Sequence, residues 1–332
     1  MTVAIPTLAA DNRLLECLAA LDRQTERDFE VLIVDNSGAG LVRRSEAPRR
    51  GVRILEPKRN LGYGAAINAA FRESRSTYIA VLNDDAVPHQ GWLLALVSAI
   101  EARPDAGMCA SQVRLFGEDA LDSAGMLIGA DGSSKQRGHL RPARFFPAAE
   151  EVLFPSGSAA LYRRAMLEQI GLFDEDFFLY CEDTDLGLRA RWAGWSCLYV
   201  PQAVVEHHYS HSAGRASRLK AYYVERNRLY VLVKNFPARM LLAAPFVSLA
   251  RYAWHLRLML GGCGAAARFR QEAGSAWRMP LYVVGAHLAV LRRAPSLCRK
   301  RRLIRRTALL APRTFRRLLR AHLISARRIA EL

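Results

Sequence analysis

Thr2-Val-Ala-Ile-Pro-Thr7, Asn12-Arg-Leu-Leu-Glu-Cys-Leu-Ala-Ala-Leu21 and Glu30-Val-Leu-Ile-Val-Asp35 follow one another at the head of the chain. The outer two are short apolar runs of strand length. The middle one puts Leu14, Leu15, Leu18 and Leu21 on one face of a helix over 12–24, capped by Asp11 or Asn12. Strand, helix, strand in that order is a βαβ unit, and a βαβ unit implies a parallel sheet in an α/β domain. The chain opens on a strand with no basic n-region or long apolar run, so we expect no signal peptide.

Beyond this unit, residues 52–55 and 78–82 read as further strands, 91–101 as a helix and 107–115 as another strand. Residues 116–152 are irregular, a loop or small subsheet. Ligands of open α/β sheets bind beyond the carboxyl ends of the strands, so polar residues at those ends deserve weight. Asp35 follows the second strand, although Asp-Asn-Ser-Gly also makes a good turn by itself. Asn83-Asp84-Asp85 follows the fourth, and two acids there suit a hard divalent cation that bridges a diphosphate. Asn60-Leu-Gly-Tyr-Gly-Ala-Ala-Ile-Asn68 runs into a helix, with Gly62 and Gly64 allowing close backbone approach to a phosphate. It is neither a Walker loop nor a dinucleotide fingerprint.

The densest signal is Phe177-Phe-Leu-Tyr-Cys-Glu-Asp-Thr-Asp-Leu-Gly-Leu-Arg-Ala-Arg-Trp192. Acids at a helix start are ordinary capping chemistry, which accounts for one or two of Glu182, Asp183 and Asp185. A carboxylate beside aromatic groups has a raised pKa and can take a proton from a hydroxyl, so Glu182 and Asp183 are candidate bases. Three of the eight histidines, His207, His208 and His211, fall within five residues after the strand at 196–200. One of them could complete a metal site begun by Asp85, with a wet histidine-rich junction as the alternative.

Charge splits the chain. Residues 1–213 carry 22 Lys/Arg against 28 Asp/Glu, whereas 214–332 carry 26 against three Glu, a net of +23. An acidic front half is a poor nucleic-acid surface, and no nucleic-acid-binding fold is visible, so nucleic acid is not an expected partner. The basic half has apolar runs at 240–260 and 279–291 interrupted by charge or too short to span a bilayer. Residues 292–332 hold 14 Lys/Arg and one Glu, with Arg316, Arg317 and Arg320 among Leu318, Leu319 and Leu323. Basic amphipathic helices on an anionic membrane surface are expected there; the alternative is a helical hairpin packed on the catalytic domain or on a twin subunit in a homodimer. Six scattered cysteines without zinc spacing read as reduced thiols in a cytosolic compartment.

Over residues 2–235 the sequence resembles glycosyltransferase family 2, of GT-A fold, and within it the rhamnosyltransferase-like bacterial branch. The resemblance rests on Val3-Ala-Ile-Pro-Thr7, Val34-Asp-Asn-Ser37, Asn60 to Asn68, Leu82-Asn-Asp-Asp85, Gly171-Leu-Phe-Asp-Glu-Asp-Phe-Phe178, Glu182-Asp-Thr-Asp-Leu186, Pro201 to His207 and Glu225-Arg-Asn227. It implies a Rossmann-like, mostly parallel sheet flanked by helices, with residues 1–215 as catalytic domain; charge and composition make 216–332 a basic, mainly helical extension. Within the catalytic domain, 1–115 would bind the nucleotide sugar and 116–215 would hold the acceptor side and the base. Asp35 would bond the nucleotide base; Thr7, Asn60, Gly62, Asn68, Asn83 and Asp84 would line the donor. Asn83 replaces the first acid of the family's metal motif, which leaves Asp85 as main ligand of Mg2+ or Mn2+, with His207 beside it and His208 as rival. Asp183 matches the base, and Glu182 would orient the acceptor. The implied reaction is inverting transfer from a nucleoside-diphosphate sugar, dTDP-L-rhamnose or a UDP-sugar, to a glycan or lipid-linked glycan acceptor at the inner face of the bacterial plasma membrane. A nucleotidyltransferase would carry a basic Gly-rich loop after the first strand, where this chain has Pro6-Thr-Leu-Ala-Ala. A non-catalytic scaffold would not need both Asp85 and Asp183.

Overall fold

The computed structural model describes the chain except residues 10, 48–50, 209–217, 265, 268 and 270–277. His211, one of the three clustered histidines, lies outside the described residues. In chain order the elements are β1 (Thr2–Thr7), α1 (Asn12–Asp22), β2 (Glu30–Asp35), β3 (Val52–Leu55), α2 (Tyr63–Glu73), β4 (Tyr78–Leu82), β5 (Ala86–Pro88), α3 (Trp92–Glu101) and β6 (Ala106–Leu115). There follow β7 (Leu121–Ser123), β8 (Met126–Ile128), β9 (Ser134–Gln136), β10 (Glu150–Glu151), β11 (Ala159–Arg163), α4 (Arg164–Ile170), α5 (Glu182–Trp192) and β12 (Ser196–His207). The helices α6 (Arg218–Asn235), α7 (Ala238–Leu260), α8 (Met279–Arg306), α9 (Pro312–Ala321) and α10 (Ala326–Glu331) follow, and short 3-10 turns at Val42–Arg44, Ala143–Phe145 and Glu175–Phe177 lie between the earlier elements.

The chain divides into two compact units, Met1–Met126 with Gln136–His211 and Leu127–Lys135 with Ser212–Leu332. In the first, one sheet runs β10-β12-β6-β11-β4-β1-β2-β3, with β5 on β12 and β7 on β6. The four strands β3-β2-β1-β4 are parallel, as the βαβ pattern requires. Beyond them the sheet is mixed: β11 enters antiparallel between β4 and β6, and β12 pairs with β6 in parallel. α1 starts on Asp11, whose carboxylate accepts the Arg13 N–H. Its face of Leu14, Leu18 and Leu21 packs with Val3, Ile5, Val31 and Ile33 in the core. Each such side chain contributes about 1.5–3 kcal/mol on burial, so a polar residue at Leu18 would weaken the packing of α1 by at least that much.

β12 departs most from expectation. It does not stop at Pro201 but runs on to His207, because residues 201–203 bulge out of register between Val200, paired with Ser111, and Val204, paired with Gln112. A proline cannot donate to a ladder and is accommodated at such a bulge. The extra length sets His207 opposite Ala86, next to Asp85.

In the second unit α6 and α8 pack together, as do α7 and α10. The loop of the β8–β9 hairpin belongs to this unit. There Asp131 accepts from Arg251 Nε at 2.6 Å, while its backbone carbonyl accepts from Arg228 Nη1 at 3.0 Å. Glu225 accepts from Arg228 Nε at 3.0 Å and Arg251 Nη2 at 2.8 Å. Two acids and two arginines thus neutralise one another in a buried cluster, and this gives Glu225 of the Glu225-Arg-Asn motif a structural role. Among the described residues no helix is long and apolar enough to cross a membrane.

Candidate active site

The strand-end acids differ sharply in their surroundings. Asp85 is buried, and its Oδ1 has no hydrogen bond of proper geometry, although His207 Nε2 lies 3.1 Å away. The other ring nitrogen, Nδ1, sits 2.9 Å from Asp122 Oδ2. With Nδ1–H donating to Asp122, the Nε2 lone pair faces Asp85 and the Asn83 amide, 3.2 Å off. A carboxylate behind a histidine fixes the tautomer that ligates a cation. With only protons present, the imidazole takes one up instead: burial opposes this, but Asp122 and Asp85 raise its pKa to about 10. Burial alone would raise Asp122, yet His139 and His207 bring it down to about 2. Burial pushes Asp84 up to about 7, and the neighbouring Asp85 charge adds to the rise. His208 turns elsewhere, stacked on Phe116 with ring centroids 3.8 Å apart and 3.4 Å from Glu16. Among the described residues no group of three or more His, Cys, Asp or Glu is disposed to hold a metal by itself. The orphaned Asp85 oxygen beside an oriented imidazole nevertheless fits a hard cation that takes its remaining ligands from a diphosphate.

The aromatic run ahead of α5 has a geometric reason. Phe178, Tyr180 and Cys181 all have positive φ (63°, 70° and 65°), a sequence of tight left-handed turns. Such strain in non-glycine residues persists only where the surroundings fix it. Here the Phe178 carbonyl accepts the Tyr63 N–H at 2.8 Å, directly over Gly62, whose own φ is 82°. A Cβ on Gly62 would stand 2.2 Å from that carbonyl oxygen, so the glycine is a packing requirement.

The turns deliver three acids with three fates. Asp185 is fully buried and bonded to Arg189 Nε at 2.9 Å; Arg189 in turn donates to the carbonyls of Ile170, Gly171 and Leu172. It is an anchor. Asp183 accepts the Gly157 N–H on Oδ2 at 3.1 Å and the Thr184 N–H on Oδ1 at 2.6 Å. Burial raises its pKa and these bonds oppose the rise. Glu182 is buried, its Oε2 without a hydrogen bond, and burial with the neighbouring Asp183 charge pushes it to about 8. Loop 156–158 ties these acids to the strand end: Asn83 N–H donates to the Ser158 carbonyl at 2.9 Å, and the Tyr63 hydroxyl donates to the Gly157 carbonyl.

The remaining donor-side residues are engaged with the protein itself. Asp35 accepts from Ser37 N–H and Oγ–H on one oxygen and from Val42 N–H at 2.8 Å on the other. Asn60 Oδ1 accepts from Gly62 N–H and Asn36 Nδ2. Asn68 is buried in α2, donating to the Phe173 carbonyl and Glu175 and accepting the Phe173 N–H. It positions the segment leading to α5. The Thr7 hydroxyl closes on the Ala9 carbonyl at 2.6 Å. Sequence reasoning missed Asp122, His139 and loop 156–158. Asp122 stands in an irregular stretch, and its partners His139 and His207 are distant in sequence.

Comparison with known proteins places the chain in a family. The sequence pattern of glycosyl transferase family 2 matches residues 2–171. N-acetylglucosaminyl-diphospho-decaprenol L-rhamnosyltransferase of Mycobacterium tuberculosis is 32% identical over 253 residues, 67% of this chain and 82% of that protein. The O-antigen chain rhamnosyltransferase WbaN of Salmonella anatum is 23% identical over 216 residues, 64% of this chain and 67% of its own length. The crystal structure of GalNAc-T7 with UDP, GalNAc and Mn2+ superposes with a TM-score of 0.59 at 14% identity, over 84% of this chain and 55% of that one. That last likeness concerns the fold alone. Pattern, relatives and sheet together make this chain a member of glycosyl transferase family 2, with the GT-A fold.

Proposed function

We propose that the chain transfers a sugar from a nucleoside diphosphate to a hydroxyl of a lipid-linked glycan, with inversion at the anomeric carbon, and that L-rhamnose from dTDP-L-rhamnose is the sugar. Both rhamnosyltransferase relatives support the sugar, and the mycobacterial one, a transferase of N-acetylglucosaminyl-diphospho-decaprenol, supports the lipid-diphosphate acceptor. The observation that carries the mechanism is loop 156–158, which bonds the metal-type strand end through Asn83 and holds the Asp183 carboxylate through Gly157. Asp183 accepts the proton of the acceptor hydroxyl as its oxygen attacks the anomeric carbon and the bond to the diphosphate breaks; one base suffices for direct displacement. Its raised pKa keeps it basic enough for that proton. Glu182, protonated at neutral pH, can donate a hydrogen bond to the acceptor. Asp35, Asn60 and Gly62 shape the donor pocket, and Asp35 does so chiefly by holding loop 37–42. Asp85 and His207 would hold Mg2+ or Mn2+, which when bound supplies positive charge to the departing diphosphate. The basic second unit keeps the chain on the anionic inner face of the membrane, near a lipid-linked acceptor.

The test is release of nucleoside diphosphate from dTDP-L-rhamnose and, in parallel, from UDP-sugars, with a polyprenyl-diphosphate N-acetylglucosamine acceptor and Mg2+ or Mn2+. Acceptor-dependent release with dTDP-L-rhamnose is expected. Equal release without acceptor, or transfer only from UDP-sugars, would remove the rhamnosyl assignment.

A further inference from the structure

The two longest helices of the second unit each leave an apolar face uncovered. On α7 the exposed large side chains are Leu242, Phe246, Leu249, Leu256 and Leu260, between 54% and 78% exposed. Their spacings of four, three, seven and four residues lay them along one stripe. Ala244, Ser248 and Arg251, the buried residues of α7, fall on the opposite side. α8 repeats the pattern: Leu281, Val284, Leu288 and Leu291 are exposed, while Ala286, Leu297 and Ile304 are buried on the other side. At helical spacing that outward face of α8 continues into Arg292, Arg299, Arg302 and Arg306, all exposed. Residues 238–260 carry Arg239, Arg251 and Arg257 and no acid; residues 279–306 carry eight Lys/Arg and no acid.

Scattered exposed leucines need no explanation, but ordered stripes do. Charge selects the occupant. A second copy would bring together two regions of net +23, and like charges repel. A surface that is apolar within and negative at its rim matches both features at once. We infer that the outward faces of α7 and α8 are each in-plane membrane-insertion faces, with the leucines in the acyl boundary of an anionic bilayer and the α8 arginines on its phosphates. The inference rests on the membrane reading above but moves the main contact from the basic tail at 292–332 to the two apolar stripes.

The full-length protein is sedimented with vesicles of phosphatidylcholine and phosphatidylglycerol at 70:30, and with phosphatidylcholine alone. Wild type is expected to bind the first and bind the second weakly. Phe246→Gln with Leu249→Gln, or Leu288→Gln with Leu291→Gln, should lower partitioning by about tenfold or more with an unchanged circular-dichroism spectrum. Phe246→Ala with Leu249→Ala gives the same comparison if the glutamines disturb folding. Arg292→Gln, Arg299→Gln, Arg302→Gln and Arg306→Gln together should weaken binding and flatten its dependence on salt. Stripe variants that bind like wild type, while Arg316→Gln, Arg317→Gln and Arg320→Gln release the protein, would overturn the stripe and leave the membrane reading standing. No wild-type binding would overturn both. A wild-type dimer in sedimentation velocity that the stripe variants dissociate, with vesicle binding intact, would make the occupant a second copy.

Discussion

Asp183→Asn is the sharpest probe of the proposed chemistry, because the structure says what it does to fold and to reaction separately. Both carboxylate oxygens accept a backbone N–H, from Gly157 and Thr184. An asparagine has one oxygen, so in either flip its NH2 faces one of those donors. A buried donor left unpaired costs about 1–3 kcal/mol. For a unit of this size that lowers the melting temperature by roughly 2–12 °C, and the protein stays folded at 25 °C. Turnover at saturating donor and acceptor should fall by about a hundredfold or more, since an amide cannot take the hydroxyl proton. Donor affinity should stay near wild type. Glu182→Gln is the control: at neutral pH it replaces a protonated acid by a neutral isostere. The assay is steady-state diphosphate release alongside a thermal melt. A lowered melting temperature with near-normal turnover would refute the reasoning and make Asp183 merely the anchor of loop 156–158.

Other expectations follow from named contacts. Asp85→Ala should abolish transfer and remove the metal dependence of donor binding; equal donor affinity with and without Mn2+ in wild type would count against the site. Asp122→Asn should leave His207 unoriented and weaken metal affinity by about 10–100-fold, read by titration with Mn2+; unchanged affinity would leave Asp122 a structural residue. Asp35→Ala frees the Ser37 and Val42 donors, so both stability, by about 1–3 kcal/mol, and donor affinity should drop; a weaker donor with an unchanged melt would instead mean direct contact with the base. Glu182 has a folded pKa raised above its ordinary 4.5, to about 8, so its contribution to stability is full at low pH and is lost as pH rises through that interval. The melting temperature of Glu182→Gln should therefore gain on wild type between pH 5 and about pH 9; parallel curves would show that the carboxyl is solvated.

The parallel half of the sheet could be read from the chain because each strand is a short apolar run closed by polar residues, as in Val31 to Asp35 and Ile79 to Asn83. α1 could be read for the same reason, its leucines recurring at helical spacing. The mixed half could not. Pro201 reads as a stop, yet a three-residue bulge absorbs it and β12 continues to His207. The apolar run at 279–291 and the start of the basic stretch at 292–332 read as separate segments, yet one helix, α8, joins them and passes through Pro295 to Arg306. The β8–β9 loop carries no periodic signal for joining the second unit; Asp131 does so through Arg228 and Arg251, 97 and 120 residues later. Of the basic tail, Phe315 and Leu319 of α9 are buried while Arg313, Arg317 and Arg320 are exposed. Composition shows an amphipathic helix there but not which apolar face is left uncovered; that proved to lie on α7 and α8.

The acids at 182–185 show how far duties could be ranked from the residues alone. Read along the chain, Asp185 lies inside the helix start, where an anchoring role is expected, whereas Glu182 and Asp183 stay level as candidate bases, all three favoured there by the dipole. What separates them is supplied from elsewhere. Arg189 neutralises Asp185, and the carbonyls of 170–172 hold that arginine in place. The Gly157 N–H, 26 residues upstream, holds Asp183. Nothing bonds the second oxygen of Glu182, so burial keeps it protonated. The turns at Phe178, Tyr180 and Cys181 lead into these acids, and the Phe178 carbonyl can approach α2 only where residue 62 has no Cβ. A single methyl at Gly62, costing about 1–3 kcal/mol through overpacking, should therefore shift all three acids together. Gly62→Ala should lower turnover far more than its loss of stability accounts for, even though residue 62 carries no chemistry of its own.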